Sequence, residues 1–327
     1  MLALMPTKCL VALLAAGACS LACAQPAPWP AKPVRIIVPF GTGGAADLMP
    51  RLLGERLATQ WGQLILVENR TGAAGNIGME AGAKAAPDGY TLLAAPNGNL
   101  VVNPHLYPKL AYDVFRDLMP VVMIAAVQNV LVLHPDVPAR SVRELIALAK
   151  AKPGILTYAS PGHGSQAHMA GELMRGLAGI EMVHVPYTAV GAALKDVLGG
   201  QVSMMFAQMP AALANVKAGK LRALGVASPS RSSLLPDTPT IADDGGFASF
   251  EAVSWYALMA PAGTPAAIVA KVAADSASAL RANDLRERLQ SLGAEASGEG
   301  PEALAARMRS ESDRWREVIR RANIKVE

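Results

Sequence analysis

An apolar strand and a glycine-rich turn follow each other in the segment Val34-Arg-Ile-Ile-Val-Pro-Phe-Gly-Thr-Gly-Gly-Ala-Ala-Asp47. Leucines at helical spacing come next, so the segment predicts a strand, a tight turn and a helix. A turn of this kind leaves N–H groups unpaired at the start of the helix, beyond the carboxyl end of the strand. Because unpaired N–H groups attract anions, residues 40–45, which we call turn 1, are a candidate binding site.

The charge pattern of turn 1 indicates the kind of anion. No Lys or Arg lies between Phe40 and Asp47, so amide dipoles and the helix terminus would supply an attraction of about 0.3–2 kcal/mol. This favours a small carboxylate held by hydrogen bonds over a polyphosphate. The alternative is that the glycines only connect strand to helix and that Asp47 only caps the helix.

A second segment of the same design begins about 120 residues later. Leu156-Thr-Tyr-Ala159 predicts a strand, Ser160-Pro-Gly-His-Gly-Ser165 a glycine turn, which we call turn 2, and His168 the start of a helix. Strands and helices alternate through most of the chain, as in parallel βαβ units with right-handed crossovers, while residues 228–246 predict a loop. Two such turns on separate units indicate two lobes with a ligand between them.

The N-terminus predicts export. Lys8, the apolar run of residues 10–18 and Ala22-Cys-Ala24 before Gln25 are typical of a cleavable secretory signal, residues 1–24. All three cysteines (Cys9, Cys19 and Cys23) lie inside this segment, so the mature chain would have neither a disulfide nor a reactive thiol. A lipid anchor at Cys19 or Cys23 is the less favoured alternative.

Charge excludes one class of partner. Without Lys8 the mature chain has 29 basic and 26 acidic residues, a net charge of +3, which is too weak and dispersed for a nucleic-acid footprint. With 327 residues, about half of them apolar, the chain is long enough for two well-packed lobes. We expect a monomer.

Turn 1 also fits a dinucleotide-binding fingerprint. Gly41-x-Gly43-x-x-Ala46 follows a strand and opens a helix, and Glu68 ends the next strand, where a ribose-binding acid would stand. An NAD(P)-dependent oxidoreductase is therefore the runner-up. Against it, Asp47 would place a carboxylate beside the pyrophosphate, and the export signal sends the chain to a compartment with little nicotinamide cofactor.

The sequence predicts neither catalysis nor a metal or cofactor. Ser165 could pair with His163 or His168, but it lacks the glycines of a nucleophile elbow and has no visible orienting acid. The histidines are interpreted as scattered and without metal-ligand spacing; they are His105, His134, His163, His168 and His184.

A set of motifs in the same order along nearly the whole mature chain resembles the Bug-type receptors of tripartite tricarboxylate transporters. These motifs are Trp29-Pro-x-Lys-Pro-Val-Arg-Ile-Ile-Val-Pro-Phe40, Gly43-Gly-x-x-Asp47, Val67-Glu-Asn-Arg-x-Gly72 with Gly75-Asn76, Pro87-Asp-Gly-Tyr-Thr-Leu92, Asn103-Pro-x-Leu-Tyr107, Gly162-x-Gly-Ser165 with His168-x-Ala-Gly-Glu-Leu173, Val185-Pro-Tyr187, Leu198-Gly-Gly-Gln-Val202, Ala218-Gly-Lys-Leu-Arg-Ala223 and Leu235-Pro-Asp-x-Pro239. His163, Thr188-Ala-Val190 and Ala207 depart from the family pattern, so the resemblance does not indicate how the part of a ligand remote from the two turns is recognised.

The resemblance implies a two-lobed, type II-like periplasmic-binding fold, each lobe a mostly parallel sheet flanked by helices. Residues 27–128 with 254–327 would form lobe 1, and residues 129–253 lobe 2. The two turns of such receptors hold one carboxylate of a mono-, di- or tricarboxylate, or of an amino or aromatic acid, partly through ordered water. The ligand-binding residues implied are Phe40, Thr42, Gly43, Gly44, Ala45, Asp47, Asn97, Ser160, His163, Gly164, Ser165, Tyr187 and Gln208.

The resemblance also implies partners. A periplasmic receptor of this kind delivers its solute to the membrane permease subunits of the transporter. An exported sensor that acts through a protein partner shares the same fold and is the other alternative.

Overall fold

A computed structural model describes residues 29–325; the predicted signal peptide and the alternative lipid anchor lie outside them. The strands are β1 (Val34–Val38), β2 (Ile65–Asn69), β3 (Thr91–Pro96), β4 (Leu118–Val127), β5 (Asn129–Leu133), β6 (Thr157–Ser160), β7 (Val183–Pro186), β8 (Met204–Gln208), β9 (Arg222–Val226), β10 (Ser254–Pro261) and β11 (Ala294–Ala296). The α-helices are α1 (Ala45–Trp61), α2 (Asn76–Ala83), α3 (Asn103–Leu106), α4 (Val114–Asp117), α5 (Val142–Ala151), α6 (Gln166–Ala178), α7 (Val190–Leu198), α8 (Met209–Lys217), α9 (Ile241–Gly245), α10 (Ala266–Arg281), α11 (Asn283–Ser291) and α12 (Pro301–Ala322).

The strands form two sheets. Sheet 1 has the order β11-β4-β10-β3-β1-β2, and sheet 2 has the order β7-β6-β8-β5-β9. Turn 1 follows β1 at the carboxyl end of a parallel group in sheet 1, and turn 2 follows β6 in the corresponding group of sheet 2. The α/β class and the two similar strand–turn–helix units are therefore confirmed.

Strand direction is mixed rather than mostly parallel. In sheet 1, β10 runs antiparallel to both β3 and β4, and β11 runs antiparallel to β4. In sheet 2, β5 runs antiparallel to β8 and β9. The antiparallel strands β4, β5 and β10 are those that carry the chain between the sheets. Apolar patterning reports burial and not direction, so the sequence could not distinguish these strands from parallel ones.

The chain crosses between the sheets at two adjacent points. Only Gln128 separates β4 of sheet 1 from β5 of sheet 2, and the return to sheet 1 comes just before β10. The side-chain amide of Asn129 joins the crossings, since its Nδ2 donates to the Ala252 carbonyl oxygen and, over 3.1 Å, to Ser254 Oγ. Asn129 and Ser254 are both buried. The two crossings therefore form one hydrogen-bonded unit.

Each sheet has its own apolar core. Ile37, Leu93 and Trp315 belong to the core on sheet 1, whereas Leu131, Tyr158 and Phe206 belong to a core on sheet 2. Met169 of α6 is an exception, because it follows turn 2 yet packs into the core of sheet 1. The start of α6 is therefore held by both sheets.

Some local elements differ from the sequence predictions. The predicted loop of residues 228–246 contains the short helix α9, which begins where Thr240 Oγ1 accepts the N–H of Asp243. A five-residue helix is too short to show the periodicity on which sequence prediction depends. A π-helical segment over Gly98–Val102 was also not predicted. Between Trp29 and Lys325, no helix combines the length and apolar character that a membrane span requires.

Candidate functional site

The side chain of Asp47 holds turn 1 in place. Gly43 has a left-handed backbone with φ +85°, which glycine adopts without strain, and Gly44 is the N-cap of α1. Asp47 Oδ2 accepts the N–H of Gly43 at 3.0 Å, and Asp47 Oδ1 accepts from Arg51 Nε and Asn69 Nδ2, each at 2.8 Å. Asp47 thus braces the turn from inside the first turn of the helix.

The hydrogen bonds of Asp47 also determine its charge. Burial of this carboxyl, which is 3% exposed, raises its pKa, but the bonds from Arg51, Asn69 and Gly43 outweigh burial and the net pKa is below the usual value. Asp47 is therefore ionised at neutral pH and forms an ion pair with Arg51. Turn 1 consequently has an arginine one helical turn away, but its charge is balanced.

The other predicted residues of turn 1 lie at its surface or against neighbouring glycines. Thr42 and Gly43 are exposed, Gly44 is half-buried and Ala45 is buried. The ring of Phe40 packs against Gly75, where an added Cβ would lie 3.0 Å from ring carbons. The Phe40 carbonyl accepts from Asn69 Nδ2 at 2.8 Å, so Asn69 fixes both ends of the turn.

Hydroxyl groups, not a carboxylate, hold turn 2. Ser160 Oγ accepts the N–H of Gly162 at 3.2 Å and lies 2.7 Å from His184 Nε2. Ser165, the N-cap of α6, accepts the N–H of His168 and donates to the Gly162 carbonyl oxygen at 2.6 Å. Ser160 is fully buried. Both serines therefore act as supports of the turn.

Three histidines converge beneath turn 2. His163 in the turn, His168 in α6 and His184 in β7 each offer a nitrogen, and the three nitrogens lie within 4.8 Å of one another. The interpretation of these histidines as scattered is therefore wrong. The register of β6 and β7 pairs Tyr158 with His184 and so brings His184 under turn 2. Because His163 and His184 are 21 positions apart in the chain, spacing along the sequence does not reveal this contact.

Burial keeps two of these histidines neutral. Desolvation, and then the neighbouring His163 and Arg175, lower the pKa of His168 to about 3. Desolvation, followed by His168 and His163, lowers the pKa of His184 to about 3. The N–H of Gly164 donates to His168 Nδ1 at 3.2 Å, a bond that only an unprotonated Nδ1 can accept. No positive charge thus lies on these two rings at neutral pH.

Turn 2 is packed against the segment that follows β3 in sheet 1. A Cβ added at Gly164 would lie 2.3 Å from Asn103 Oδ1 and 3.2 Å from Leu106 Cδ2. A Cβ added at Gly98 would lie 2.7 Å from the Gly164 carbonyl oxygen. Turn 2 and the segment after β3 therefore approach each other so closely that only glycine fits at Gly98 and Gly164. Turn 2 is thus a point of contact between the two halves of the fold.

Asn97 links the sheets by hydrogen bonds. This residue is 1% exposed, and its Nδ2 donates to Gln166 Oε1 at 3.2 Å and to the Val253 carbonyl oxygen at 3.1 Å. Gln166 is the first residue of α6, and Val253 precedes β10. Asn97 therefore joins turn 2 to the crossing of the chain between the sheets.

Tyr187 and Gln208 lie near the site in different ways. The Tyr187 N–H donates to the Ser160 carbonyl oxygen at 2.8 Å, which places Tyr187 beside turn 2. The Tyr187 hydroxyl donates to Asp196 Oδ2, and this bond, with burial, raises the pKa of Tyr187 to about 12. Gln208 Nε2 donates instead to Ser254 Oγ and the Tyr256 hydroxyl at the crossing.

Sequence reasoning missed the residues that support the turns. Arg51 stands four residues after Asp47, the helical spacing of an ion pair, so it could have been found from the sequence. Asn69 could have been found only from the parallel register that pairs it with Val38. The approach of Gln166 to Asn97 depends on how the two sheets pack, for which the sequence carries no local signal.

The residues that would serve a dinucleotide site or a serine nucleophile make other contacts in the structure. Both carboxylate oxygens of Glu68, the candidate ribose-binding acid, are bound by Arg35 and Arg70. The hydroxyl of Ser165 donates to a backbone carbonyl rather than to a histidine nitrogen. Ser160 does pair with His184, but its side chain is fully buried.

Comparisons with known proteins agree with this architecture. A family model described as "Tripartite tricarboxylate transporter family receptor" matches residues 49–324. The chain is 38% identical to Protein BugT of Bordetella pertussis over 299 residues, which cover 91% of each chain.

Solved structures share the fold. The chain is similar to "R. palustris Rpa4515 with adipate", with a TM-score of 0.86 and 34% identity over 91% of this chain and 99% of the other. It is also similar to "MatC (Rpa3494) from Rhodopseudomonas palustris with bound malate", with a TM-score of 0.82 and 33% identity over 89% of this chain and all of the other. These similarities confirm the predicted two-lobed periplasmic-binding fold.

Proposed function

The chain belongs to the tripartite tricarboxylate transporter receptor family, and from this premise we propose that it captures a small organic carboxylate between its lobes and delivers it to the transporter's membrane subunits. Periplasmic solute binding is the property of the family. The proposal adds the chemical class of the solute, the residues that hold it and the permease as partner. The lobes would be residues 27–128 with 254–327, and residues 129–253.

The observation that carries the proposal is the pair of glycine turns, each of which leads into a helix from the carboxyl end of a parallel strand. The first N–H groups of α1 and α6 have no partner within their helices, and helix N-termini favour anions. Arg51 is bound to Asp47, so the anion would be held mainly by backbone N–H groups. Adipate and malate, the solutes bound to two similar proteins, are carboxylates of the size that such a site suits.

We propose roles for the predicted residues on this basis. The backbone N–H groups of Thr42, Gly44 and Ala45 would face one carboxylate of the solute, and Ser165 would start the helix that faces it. Gly43 and Gly164, whose N–H groups are bound by Asp47 and His168, would shape the two turns. Asp47 and Ser160 would brace the turns without touching the solute, because their side-chain oxygens are occupied by protein donors. The remaining candidates, Phe40, Asn97, His163, Tyr187 and Gln208, would line the rest of the site.

A melting experiment tests the solute class. The mature chain from Gln25 is heated with each member of a panel that contains adipate, malate, citrate, an amino acid and an aromatic acid, with NAD⁺ as a separate arm. A ligand at about one hundred times its dissociation constant adds roughly 2.7 kcal/mol of stability, so at least one acid should raise the melting temperature. Stabilisation by NAD⁺ and by none of the acids would instead support the dinucleotide alternative.

A proline substitution tests the role of the backbone. Ala45 is the first residue of α1 and follows Gly44 in an extended conformation with ψ 169°, which suits a residue before proline. Ala45→Pro removes one N–H at a helix position where proline is favoured. A hydrogen bond to a charged group contributes about 1.5–3 kcal/mol. Its loss should therefore weaken binding of the stabilising acid roughly 10- to 100-fold.

The matched control is Ala266→Pro. Ala266 is the first residue of α10 and is exposed, so this variant carries the same change at a helix start remote from both turns. Its affinity should equal that of the unmodified protein. Equal affinity of Ala45→Pro and Ala266→Pro, both folded, would contradict the proposal that turn 1 holds the anion.

A further inference from the structure

The geometry beneath turn 2 points to a second binding site. We propose that His163, His168 and His184 together bind a divalent transition-metal ion of the zinc class. One nitrogen from each ring lies within 4.8 Å of the others. Three imidazoles and one open position form a donor set typical of Zn²⁺. Of these three residues, His163 is also a candidate for lining the proposed solute site on turn 2, but the metal site needs no solute and does not depend on the solute's identity.

His163 gives the cluster its strongest indication of a ligand. Its Nδ1 is buried and has no hydrogen-bond partner among residues 29–325. Buried polar atoms in native proteins are nearly always satisfied, so an exception needs an explanation. A metal ion would satisfy this nitrogen, since an unprotonated imidazole nitrogen is an electron-pair donor.

His184 is already oriented as a metal ligand would be. Its Nε2 lies 2.7 Å from Ser160 Oγ, and its ring stacks on Tyr158 with centroids 4.9 Å apart. The Ser160 hydroxyl can donate to the Gly162 carbonyl oxygen at 3.1 Å, so Nε2–H of His184 can donate to Ser160. Metal-binding histidines commonly use the second nitrogen in this way, which fixes the tautomer and leaves Nδ1 for the metal.

His168 restricts the choice of metal. Its Nδ1 accepts the N–H of Gly164. A neutral imidazole has one lone pair, so a metal on Nδ1 displaces this bond, and a metal on Nε2 moves the proton to Nδ1 and breaks it as well. The ion must therefore bind imidazole strongly enough to offset one hydrogen bond. This favours Zn²⁺, Co²⁺, Ni²⁺ or Cu²⁺ over the oxygen-binding ions Mg²⁺ and Ca²⁺.

The surrounding charges neither supply a fourth ligand nor oppose a cation strongly. Glu172, the nearby acid, is 4% exposed and is bound by Arg175 and the Tyr158 hydroxyl. Because Glu172 and Arg175 form a pair, their charges balance. The rings are close, since His168 and His184 stack with centroids 4.2 Å apart and His163 meets both rings edge-on. Because the lone pairs of imidazole lie in the ring plane, the stacked rings would rotate apart to bind one ion. Zn–N bonds of about 2.0–2.1 Å at tetrahedral angles need nitrogens about 3.3 Å apart, so binding would draw the three nitrogens closer together by side-chain rotation.

Metal titration of the untagged mature chain from Gln25, which contains no cysteine thiol that could bind the ion, tests the proposal. Co²⁺ is added and its visible absorption bands are recorded, after which Zn²⁺ affinity is measured by competition with a chromophoric chelator. The unmodified protein should bind one equivalent and show the intense bands of four-coordinate Co²⁺. His163→Ala should weaken Zn²⁺ binding by more than about tenfold, since removal of even an indirect contact commonly costs 10- to 100-fold.

His134→Ala is the matched control. His134 is half-buried and also lies in the part of the chain that forms sheet 2, but it is outside the cluster. This variant should bind like the unmodified protein. Should His163→Ala fail to fold, His163→Asn serves with the same criterion. Absence of stoichiometric binding by the unmodified protein, or equal affinity of the His163 variant and the His134 control, would overturn the proposal.

Discussion

The two turns share a backbone design but differ in how the protein supports them. In turn 1, a Cβ added at Gly43 or Gly44 would meet nothing within 4 Å, and the support is the ion pair of Asp47 with Arg51. In turn 2, Gly164 is in close contact with Asn103, and the supports are neutral hydroxyls and imidazoles. Turn 1 is therefore an open turn stabilised by local charges, whereas turn 2 is a packed turn that depends on contact between the sheets.

The largest expected difference between the turns comes from adding one methyl group to each. Gly164→Ala places a Cβ 2.3 Å from Asn103 Oδ1 at a backbone φ of +75°. Overpacking and left-handed strain together should lower the free energy of unfolding by about 3–4 kcal/mol. Gly43→Ala has similar strain, φ +85°, but open space, so it should cost only about 1–2 kcal/mol.

Urea unfolding of the two glycine variants checks this difference. The unmodified protein is measured under the same conditions, and each free energy is extrapolated to zero denaturant. Equal losses would show that contact with sheet 1 does not constrain turn 2. The comparison of a packed with an open turn would then be wrong.

Neutralising Asp47 should have the next largest effect. Asp47→Asn keeps the shape but removes the charge that binds Arg51 and accepts from Asn69 and Gly43. Hydrogen bonds to a charged group contribute about 1.5–3 kcal/mol, and the Arg51 side chain is 38% exposed, so water compensates part of the loss. We expect about 2 kcal/mol less stability in urea unfolding.

Asp136→Asn is the control for this change. The Asp136 side chain is 91% exposed, and exposed substitutions usually stay within about 0.5 kcal/mol. If Asp47→Asn is equally neutral, turn 1 does not depend on its ion pair. Solute affinity, measured on both variants, should fall only for Asp47→Asn, because the carboxylate of Asp47 holds the backbone of turn 1 at Gly43.

The charge of Asp47 also predicts a pH dependence of turn 1, and the comparison with Asp47→Asn separates it from the titration of the histidines beneath turn 2. The pKa of Asp47 is lowered in the folded state below its reference value of 3.8, so its stabilisation is present above that value and is lost as pH falls through the folded pKa. The stability difference between the unmodified protein and Asp47→Asn should be constant from pH 7 to 5 and smaller at pH 3. A difference that is unchanged or larger at pH 3 would contradict an ionised Asp47.

Much of the fold could be predicted because it depends on local patterns. The strand–turn–helix units around Val34 and Leu156 combine apolar runs, glycines and helical spacing within about twenty residues, and both are present. The direction of β10 could not be predicted, because its run of apolar residues indicates burial but not whether the strand is parallel or antiparallel. The packing of Met169 into the core of sheet 1 likewise depends on contacts remote in sequence.

The candidate site shows the same limit. The sequence identifies turn 1 and offers two roles for Asp47, a ligand contact or a helix cap, but it cannot show the bond from Asn69, which belongs to another strand. The histidine cluster was missed because His184 reaches turn 2 through the pairing of β7 with β6. The sequence could thus indicate which residues form each turn. It could not indicate which buried polar side chains receive hydrogen bonds from residues remote in sequence.

The smallest predicted effect concerns the start of the helix after turn 2. Ser165→Ala removes the side-chain oxygen that accepts the His168 N–H and donates to Gly162, and loss of an N-cap costs about 1 kcal/mol. Ser141→Ala removes an equivalent N-cap from α5, where Ser141 Oγ accepts the N–H of Glu144 at 3.1 Å, and should cost about the same in urea unfolding.

Solute affinity separates these two serine variants. Of the two serines, Ser165 but not Ser141 also donates to the Gly162 carbonyl oxygen and so helps to fix the path of turn 2. We therefore expect only Ser165→Ala to weaken binding of the stabilising acid in a calorimetric titration. Equal affinities would mean that turn 2 keeps its path through Ser160 and the contact with Asn103 alone. In that case the packing between the sheets, rather than the hydroxyls of the turn, would position the backbone N–H groups that face the solute.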